Sequence, residues 1–171
     1  MLQELREILW AGLPGERRGE VWRRCVGNDL GVTKKLFQVC RERGRVLREK
    51  GRRKEEEEEE GSGEGEGGGG EEEEEGDVRS LRLLDADLPR TFPHLAFFGR
   101  KDGPLRGALE EVLEAFVGYR GDIGYMQGLG HIAAMWLLQE PEPELAFCGL
   151  VNTVLRLPTM LDFFRCALCC V

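Results

Sequence analysis

An arginine flanked by two prolines is the first sign of chemistry in this chain, in the stretch LDADLPRTFP over residues 84–93. Each proline lacks a backbone N–H and disfavours helix at the residue before it. Arg90 is therefore predicted to lie on a constrained, non-helical turn. Asp85 and Asp87 are close in sequence, and either carboxylate could hold the guanidinium through a two-pronged hydrogen bond while no ligand is bound. Taken alone, such a pattern more often marks a surface ion pair, which contributes little to stability.

A second polar element, YMQG over residues 125–128, changes this balance. It directly precedes an apolar segment predicted to be a buried helix, whose N-terminus offers free N–H groups and a positive dipole end to an anion. The amide of Gln127 can donate and accept hydrogen bonds at once, so it can align a water molecule against a phosphate. Arg90 could neutralise the charge that spreads onto a γ-phosphate. The two side chains form a suitable pair for stimulating the hydrolysis of a nucleoside triphosphate.

Any such nucleotide would have to arrive on a partner protein. The sequence contains no phosphate-binding loop of the form G-x-x-x-x-G-K-[ST]. The residues that suit the hydrolysis are thus present without a nucleotide site of their own.

A structural metal site is not predicted, although Cys166 and Cys169 have the C-x-x-C spacing. A zinc site of this kind needs four ligands, no second pair has matching spacing, and the only histidines are His94 and His131. His131 is interpreted as a core or rim histidine rather than a catalytic one. The six cysteines are expected to be reduced.

The net charge of -8 comes from one segment of the chain. There are 24 basic and 32 acidic side chains, but 13 of the acidic ones are glutamates in residues 55–76, which leaves 24 basic against 19 acidic elsewhere. Glutamate and glycine fill this segment, so it cannot bury enough apolar area to offset its chain entropy. It is predicted to be a disordered acidic insert within one domain.

The remaining sequence predicts an all-α, bundle-like array of helices. No segment shows sustained period-two alternation, and no apolar run approaches the roughly 18 residues of a membrane span. The N-terminus does not have the pattern of a secretory signal, so a cytoplasmic location is expected. Apolar periodicity and the positions of glycine and proline predict helices near residues 2–10, 16–26, 33–54, 105–119, 127–138 and 143–157.

Three motifs in this order resemble those of one known family. Residues 10–22 contain W-x-G-L-P followed by arginines and Trp22, residues 84–93 fit I-x-x-D-x-x-R-T with leucine in the first position, and residues 125–128 fit Y-x-Q-G. Together with the all-α pattern, they make the chain similar to the TBC family of Rab GTPase-activating proteins.

The resemblance implies a mechanism with two catalytic side chains supplied in trans. Arg90 would be an arginine finger, and Gln127 would be a glutamine finger that orients the attacking water. Asp87 and Tyr125 would support these two fingers. The implied partner is a Rab-family small GTPase, which carries the GTP and Mg²⁺, so the chain would need no cofactor. Nucleic acid is not an implied partner, and association with endomembranes would be indirect, through the GTPase.

The resemblance also implies that residues 1–171 form a single partial TBC domain. The family's domain continues with several more helices after the one placed at residues 143–157, and the acidic insert at residues 55–76 is unusual. Two alternatives stay open: a truncated, non-catalytic module that binds a GTPase or a membrane-traffic partner, and an all-α fragment too incomplete to fold stably.

Overall fold

The computed structural model describes residues 10, 12–59 and 71–156, and this part of the chain contains helices and no β-strand. The all-α prediction is confirmed. None of the described helices is long and apolar enough to span a membrane. The α-helices are α1 (Gly15–Val26), α2 (Lys34–Glu59), α3 (Glu71–Asp87), α4 (Arg106–Tyr119), α5 (Leu129–Gln139) and α6 (Pro143–Arg156), with a 3-10 turn over Leu88–Arg90 directly after α3.

Most of the predicted helices are found close to their predicted limits. Thr33 caps α2, because its Oγ1 accepts a hydrogen bond from the backbone N–H of Leu36 at 3.1 Å. Pro143 opens α6, where its missing N–H has no cost. The helix predicted over residues 2–10 and the segment after Arg156 lie outside the described residues, apart from Trp10.

Helix α3 was not predicted from the sequence. Its buried leucines, Leu81 and Leu84, continue to Leu88 at i, i+3 and i+7, which is helical spacing that the preceding glutamates obscure. The two ends of the predicted acidic insert adjoin helices of the structure. Residues 55–59 continue α2 and residues 71–76 begin α3, while residues 60–70 are outside the described part.

Helix α4 is the centre of the core and crosses α2 at very close range. Its residues from Val112 to Gly118 are all buried. A Cβ atom at Gly118 would lie 2.2 Å from the carbonyl oxygen of Cys40, and one at Gly44 would lie 2.3 Å from the carbonyl oxygen of Glu114. Only glycine lets the two backbones approach so closely, so this pair of positions sets the α2–α4 crossing.

A buried amide connects the loop after α1 to α6. Asn152 is fully buried, and its Oδ1 accepts the Leu30 N–H at 3.2 Å while its Nδ2 donates to Asn28 Oδ1 at 3.2 Å and to the Cys148 carbonyl at 2.9 Å. Asn28 in turn bonds both backbone groups of Val32. The loop between α1 and α2 is thus held by side-chain amides.

Asn152→Ala is expected to lower the free energy of unfolding by about 1–3 kcal/mol, because the Leu30 N–H loses its acceptor and Asn28 Oδ1 loses one of its two donors. Urea unfolding followed by circular dichroism measures the change. Gln38→Ala, which truncates an exposed amide on α2, is the matched control and should change stability by less than about 0.5 kcal/mol. Equal effects of the two substitutions would contradict this role of Asn152.

Candidate functional site

The turn that carries Arg90 is closed onto the end of α3. The carbonyl oxygen of Asp87 accepts hydrogen bonds from both the backbone N–H and the Oγ1 hydroxyl of Thr91, each at 3.1 Å. Thr91 is fully buried, whereas Arg90 is exposed. The expected non-helical turn is therefore a single 3-10 turn that ends at Arg90, and its exit is anchored by a buried threonine.

The sequence suggested that Asp87 could hold Arg90. In the structure, the Asp87 carboxylate instead bonds to the second polar element. Its Oδ2 accepts a hydrogen bond from the Tyr125 hydroxyl at 2.6 Å and another from the Gly128 backbone N–H at 3.1 Å. Asp87 is only 6% exposed, and a buried carboxylate needs such donors. One carboxylate therefore links the segments that carry Arg90 and Gln127.

Asp85 does not hold Arg90 either. Its Oδ1 accepts a hydrogen bond from Arg48 Nη2 on α2 at 3.0 Å. Within the described part of the chain, the Arg90 guanidinium has no hydrogen-bond or ion-pair partner. It is an exposed cation that is available to a ligand.

Gln127 is held outward by its neighbours. Tyr125 and Met126 are buried, and Gly128 caps α5 in the left-handed region at φ 91°. Gly124 has φ 68°, and a Cβ atom there would lie 2.2 Å from Ser80 Oγ, so glycine is required for both the conformation and the space. The side chain of Gln127 is exposed between these fixed positions.

The first turn of α5 packs against both polar segments. A Cβ atom at Gly130 would lie 2.7 Å from Thr91 Oγ1 and 3.2 Å from the Tyr125 hydroxyl. The ring of His131 contacts Phe92 edge-on, with centroids 5.0 Å apart. His131 is half-buried in this contact, which agrees with its interpretation as a rim residue.

Arg106, the first residue of α4, also contacts the Arg90 turn. Its Nη1 donates to the carbonyl oxygens of Leu88 at 2.7 Å and Phe98 at 3.3 Å. Neither Arg106 nor Thr91 was selected from the sequence, since an arginine at the start of an amphipathic helix usually faces solvent. The only local indication for Thr91 is its place beside the arginine in the R-T motif.

Charged side chains join the helices behind the turn. Arg48 of α2 forms ion pairs with Asp85 of α3 at 3.0 Å, with Glu114 of α4 at 2.9 Å and with Glu110 of α4. Burial raises the pKa of the Glu114 carboxyl above its ordinary value, and the Arg48 guanidinium opposes that rise. The cluster fixes α3, and with it Asp87, relative to α2 and α4.

The remaining motif, over residues 10–22, precedes α1 and continues into it, away from these contacts. Arg18 donates to the Leu13 carbonyl at 3.1 Å. Trp22 packs edge-on against Trp136 of α5, with ring centroids 5.7 Å apart. This motif therefore attaches α1 to the helix that follows Gln127.

Within the described ranges, no group of three His, Cys, Asp or Glu side chains could hold a metal ion. Cys166 and Cys169 are outside those ranges. The polar groups that the described site exposes are the Arg90 guanidinium and the Gln127 amide.

The Tyr125→Phe variant is expected to flatten the loss of stability at alkaline pH. Burial, with the hydrogen bond to Asp87, raises the pKa of Tyr125 above its ordinary value near 10. Because the folded chain then keeps this proton longer than the unfolded chain, the stabilisation is complete below about pH 10 and is lost as the pH rises further.

The measurement is urea unfolding between about pH 8 and pH 11, where the slopes should differ by up to about 1.4 kcal/mol per pH unit. The chain has two tyrosines, and Tyr119→Phe is the control: it retains Tyr125 and should keep the steeper slope. Parallel curves for the wild type and Tyr125→Phe would contradict the prediction.

Comparison with known proteins identifies the family. The Rab-GTPase-TBC domain model, RabGAP-TBC, matches residues 16–167. The chain is 37% identical over 165 residues to TBC1 domain family member 12 of Rattus norvegicus and 34% identical over 169 residues to TBC1 domain family member 14 of Homo sapiens; each comparison covers 95% of this chain and 22% of the relative.

A more distant relative is Drainin of Dictyostelium discoideum. It is 30% identical over 190 residues, which cover 96% of this chain and 42% of Drainin. The chain thus spans about a fifth of the two TBC1 relatives and less than half of Drainin. With the three motifs in order on an all-α fold, the chain belongs to the RabGAP-TBC family.

Proposed function

We propose that this chain is a GTPase-activating protein for a Rab-family small GTPase, and that it supplies Arg90 and Gln127 in trans. The observation that carries the proposal is the position of Asp87. Its buried carboxylate bonds to Tyr125 and Gly128 on either side of Gln127, while its backbone begins the turn that carries Arg90. The two exposed polar side chains therefore share one rigid support.

The chemistry assigned to each side chain follows from its type. The exposed Arg90 guanidinium can contact the γ-phosphate and stabilise the charge of the transition state, a contribution of about 10³–10⁵ in rate for an arginine finger. The Gln127 amide oxygen can accept a hydrogen bond from the attacking water while its N–H₂ group donates to a phosphate oxygen, which orients the water for attack. Asp87 and Tyr125 position these two groups without touching the reactants.

The GTPase brings the nucleotide and its Mg²⁺ in this proposal. The chain lacks a phosphate-binding loop, so its contribution is charge and orientation at a nucleotide held by its partner. Recruitment of the cytoplasmic chain to endomembranes would then follow from contact with the membrane-bound GTPase.

Arg90→Ala and Gln127→Ala are each expected to lower the maximal stimulated rate of GTP hydrolysis by about 100-fold. The measurement is single-turnover hydrolysis by a panel of Rab-family GTPases, with and without the chain in excess. Circular dichroism should show that both variants remain folded, since both side chains are exposed.

Arg100→Ala is the matched control. Arg100 is also an exposed arginine in the loop before α4, but it pairs with Asp102, so its removal should leave the rate unchanged. Binding of a GTPase by the folded wild-type chain without faster hydrolysis would replace the proposal with a non-catalytic GTPase-binding module. Full stimulation by Arg90→Ala would reject the arginine finger.

A further inference from the structure

We propose that Arg106 is a positioning residue for Arg90, holding the 3-10 turn from the side opposite Asp87. The inference rests on the proposed function, because it assigns Arg106 a part in the same reaction. Arg106 would not touch the nucleotide. It would act through the turn, by fixing the direction in which Arg90 leaves the protein.

The first support is the bond from Arg106 to the turn itself. The Leu88 carbonyl, two residues before Arg90, accepts a hydrogen bond from Arg106 Nη1 at 2.7 Å, shorter than its 3.3 Å bond from the Thr91 N–H. Pro89 has no N–H to donate, so the turn has few backbone bonds of its own. A hydrogen bond from a charged donor is roughly twice as strong as a neutral one, so Arg106 is the main tether of this carbonyl.

The second support is that the same guanidinium reaches the far side of the loop. Arg106 Nη1 also donates to the carbonyl of Phe98 at 3.3 Å, and the Phe98 side chain is fully buried. The segment between Leu88 and Phe98 therefore begins and ends on one cation. It encloses Arg90.

The third support is local strain inside that segment. Phe92 has φ 43°, a region that is unfavourable for a non-glycine residue and persists only where the surroundings fix it. The Phe92 ring is held between Phe98, at 6.4 Å, and His131, at 5.0 Å. Removing the Arg106 guanidinium would leave the carbonyl oxygens of Leu88 and Phe98 without this donor. The strained segment between them could then relax and shift Arg90.

Asp87 and Arg106 thus have separable effects. Asp87 supports both the Arg90 turn and the Gln127 segment, whereas the two hydrogen bonds from Arg106 reach only the Arg90 side. The structure therefore assigns Arg106 an influence on hydrolysis that depends on Arg90 and is independent of Gln127.

The test begins with Arg106→Met, which removes the donors and keeps the apolar stem. With the most strongly stimulated GTPase of the panel, we expect the maximal single-turnover rate to fall about 10- to 100-fold, as for a misplacement of about 1 Å. The half-saturating concentration of the chain should change less than about twofold, since Arg106 is only partly exposed and its guanidinium bonds to two backbone carbonyls of its own chain. Arg106→Lys, which retains a single cationic donor, should give an intermediate rate. Arg100→Met is the matched control and should keep the wild-type rate.

Double variants distinguish positioning from a general loss of structure. In an Arg90→Ala background, Arg106→Met should have no further effect, because the group that it positions is absent. In a Gln127→Ala background, the full factor should remain. An equal additional loss in both backgrounds, or a change confined to the half-saturating concentration, would overturn the proposal, as would unfolding of both Arg106→Met and Arg106→Lys.

Hydrogen–deuterium exchange of the free chain keeps this test separate from the proposed function. In Arg106→Met, peptides from residues 88–99 should exchange at least about fivefold faster than in the wild type, while α5 is unchanged. A wild-type chain that stimulates no GTPase would reject the proposed function while leaving this readout intact. Unchanged exchange over residues 88–99 would reject the positioning role of Arg106 whatever the GTPase assay gives.

Discussion

The hydrogen bonds to the Asp87 carboxylate are the interaction on which the rest of the site depends. A carboxylate that is almost completely removed from water must be matched by donors, and here the Tyr125 hydroxyl and the Gly128 N–H, 38 and 41 residues further along the chain, provide them. The end of α3 and the start of α5 are therefore joined at one oxygen atom. Any movement of one segment would leave a buried charge without a partner, so the two polar segments keep a fixed relation.

The rigidity of this junction depends on how the surrounding helices pack against one another. Gly44 and Gly118 allow the backbones of α2 and α4 to touch, and α4 then forms a buried wall on which α5 and α6 pack. Arg48 adds a charged link from α2 to both α3 and α4. Because Arg106 lies at the N-terminus of the same α4, the helix at the centre of the core also contacts the turn that carries Arg90. The packing of α4 in the core therefore also affects the position of the exposed site.

Local sequence was a good guide wherever one residue type decides the outcome. Thr33 caps α2 and Pro143 opens α6, the apolar periodicity identified α4, and the continuous apolar run identified α5. The prolines placed Arg90 outside an α-helix, and Gln127 lies directly before a buried helix, as expected. Helix α3 was missed because glutamates dominate its first half, and only the burial of Leu81 and Leu84 reveals its inner face. The glutamate-rich residues form the N-terminal part of α3, and the C-terminal part of this helix packs in the core through Leu81 and Leu84.

The sequence by itself determined the fold class, most of the helices and the chemically capable side chains: an all-α pattern, an arginine on a proline-bound turn, and a glutamine before a buried helix. The tertiary structure alone decided the partnerships. The motif singled out Asp87 over Asp85, but it did not give their partners: Asp85 bonds to Arg48 on α2 and Asp87 bonds to Tyr125. Likewise, Arg106 can donate to the carbonyl oxygens of Leu88 and Phe98 only because α4 packs against the turn. Propensities act over a few neighbouring residues, whereas these hydrogen bonds depend on where whole helices cross, which is set by burial of the complete apolar surface.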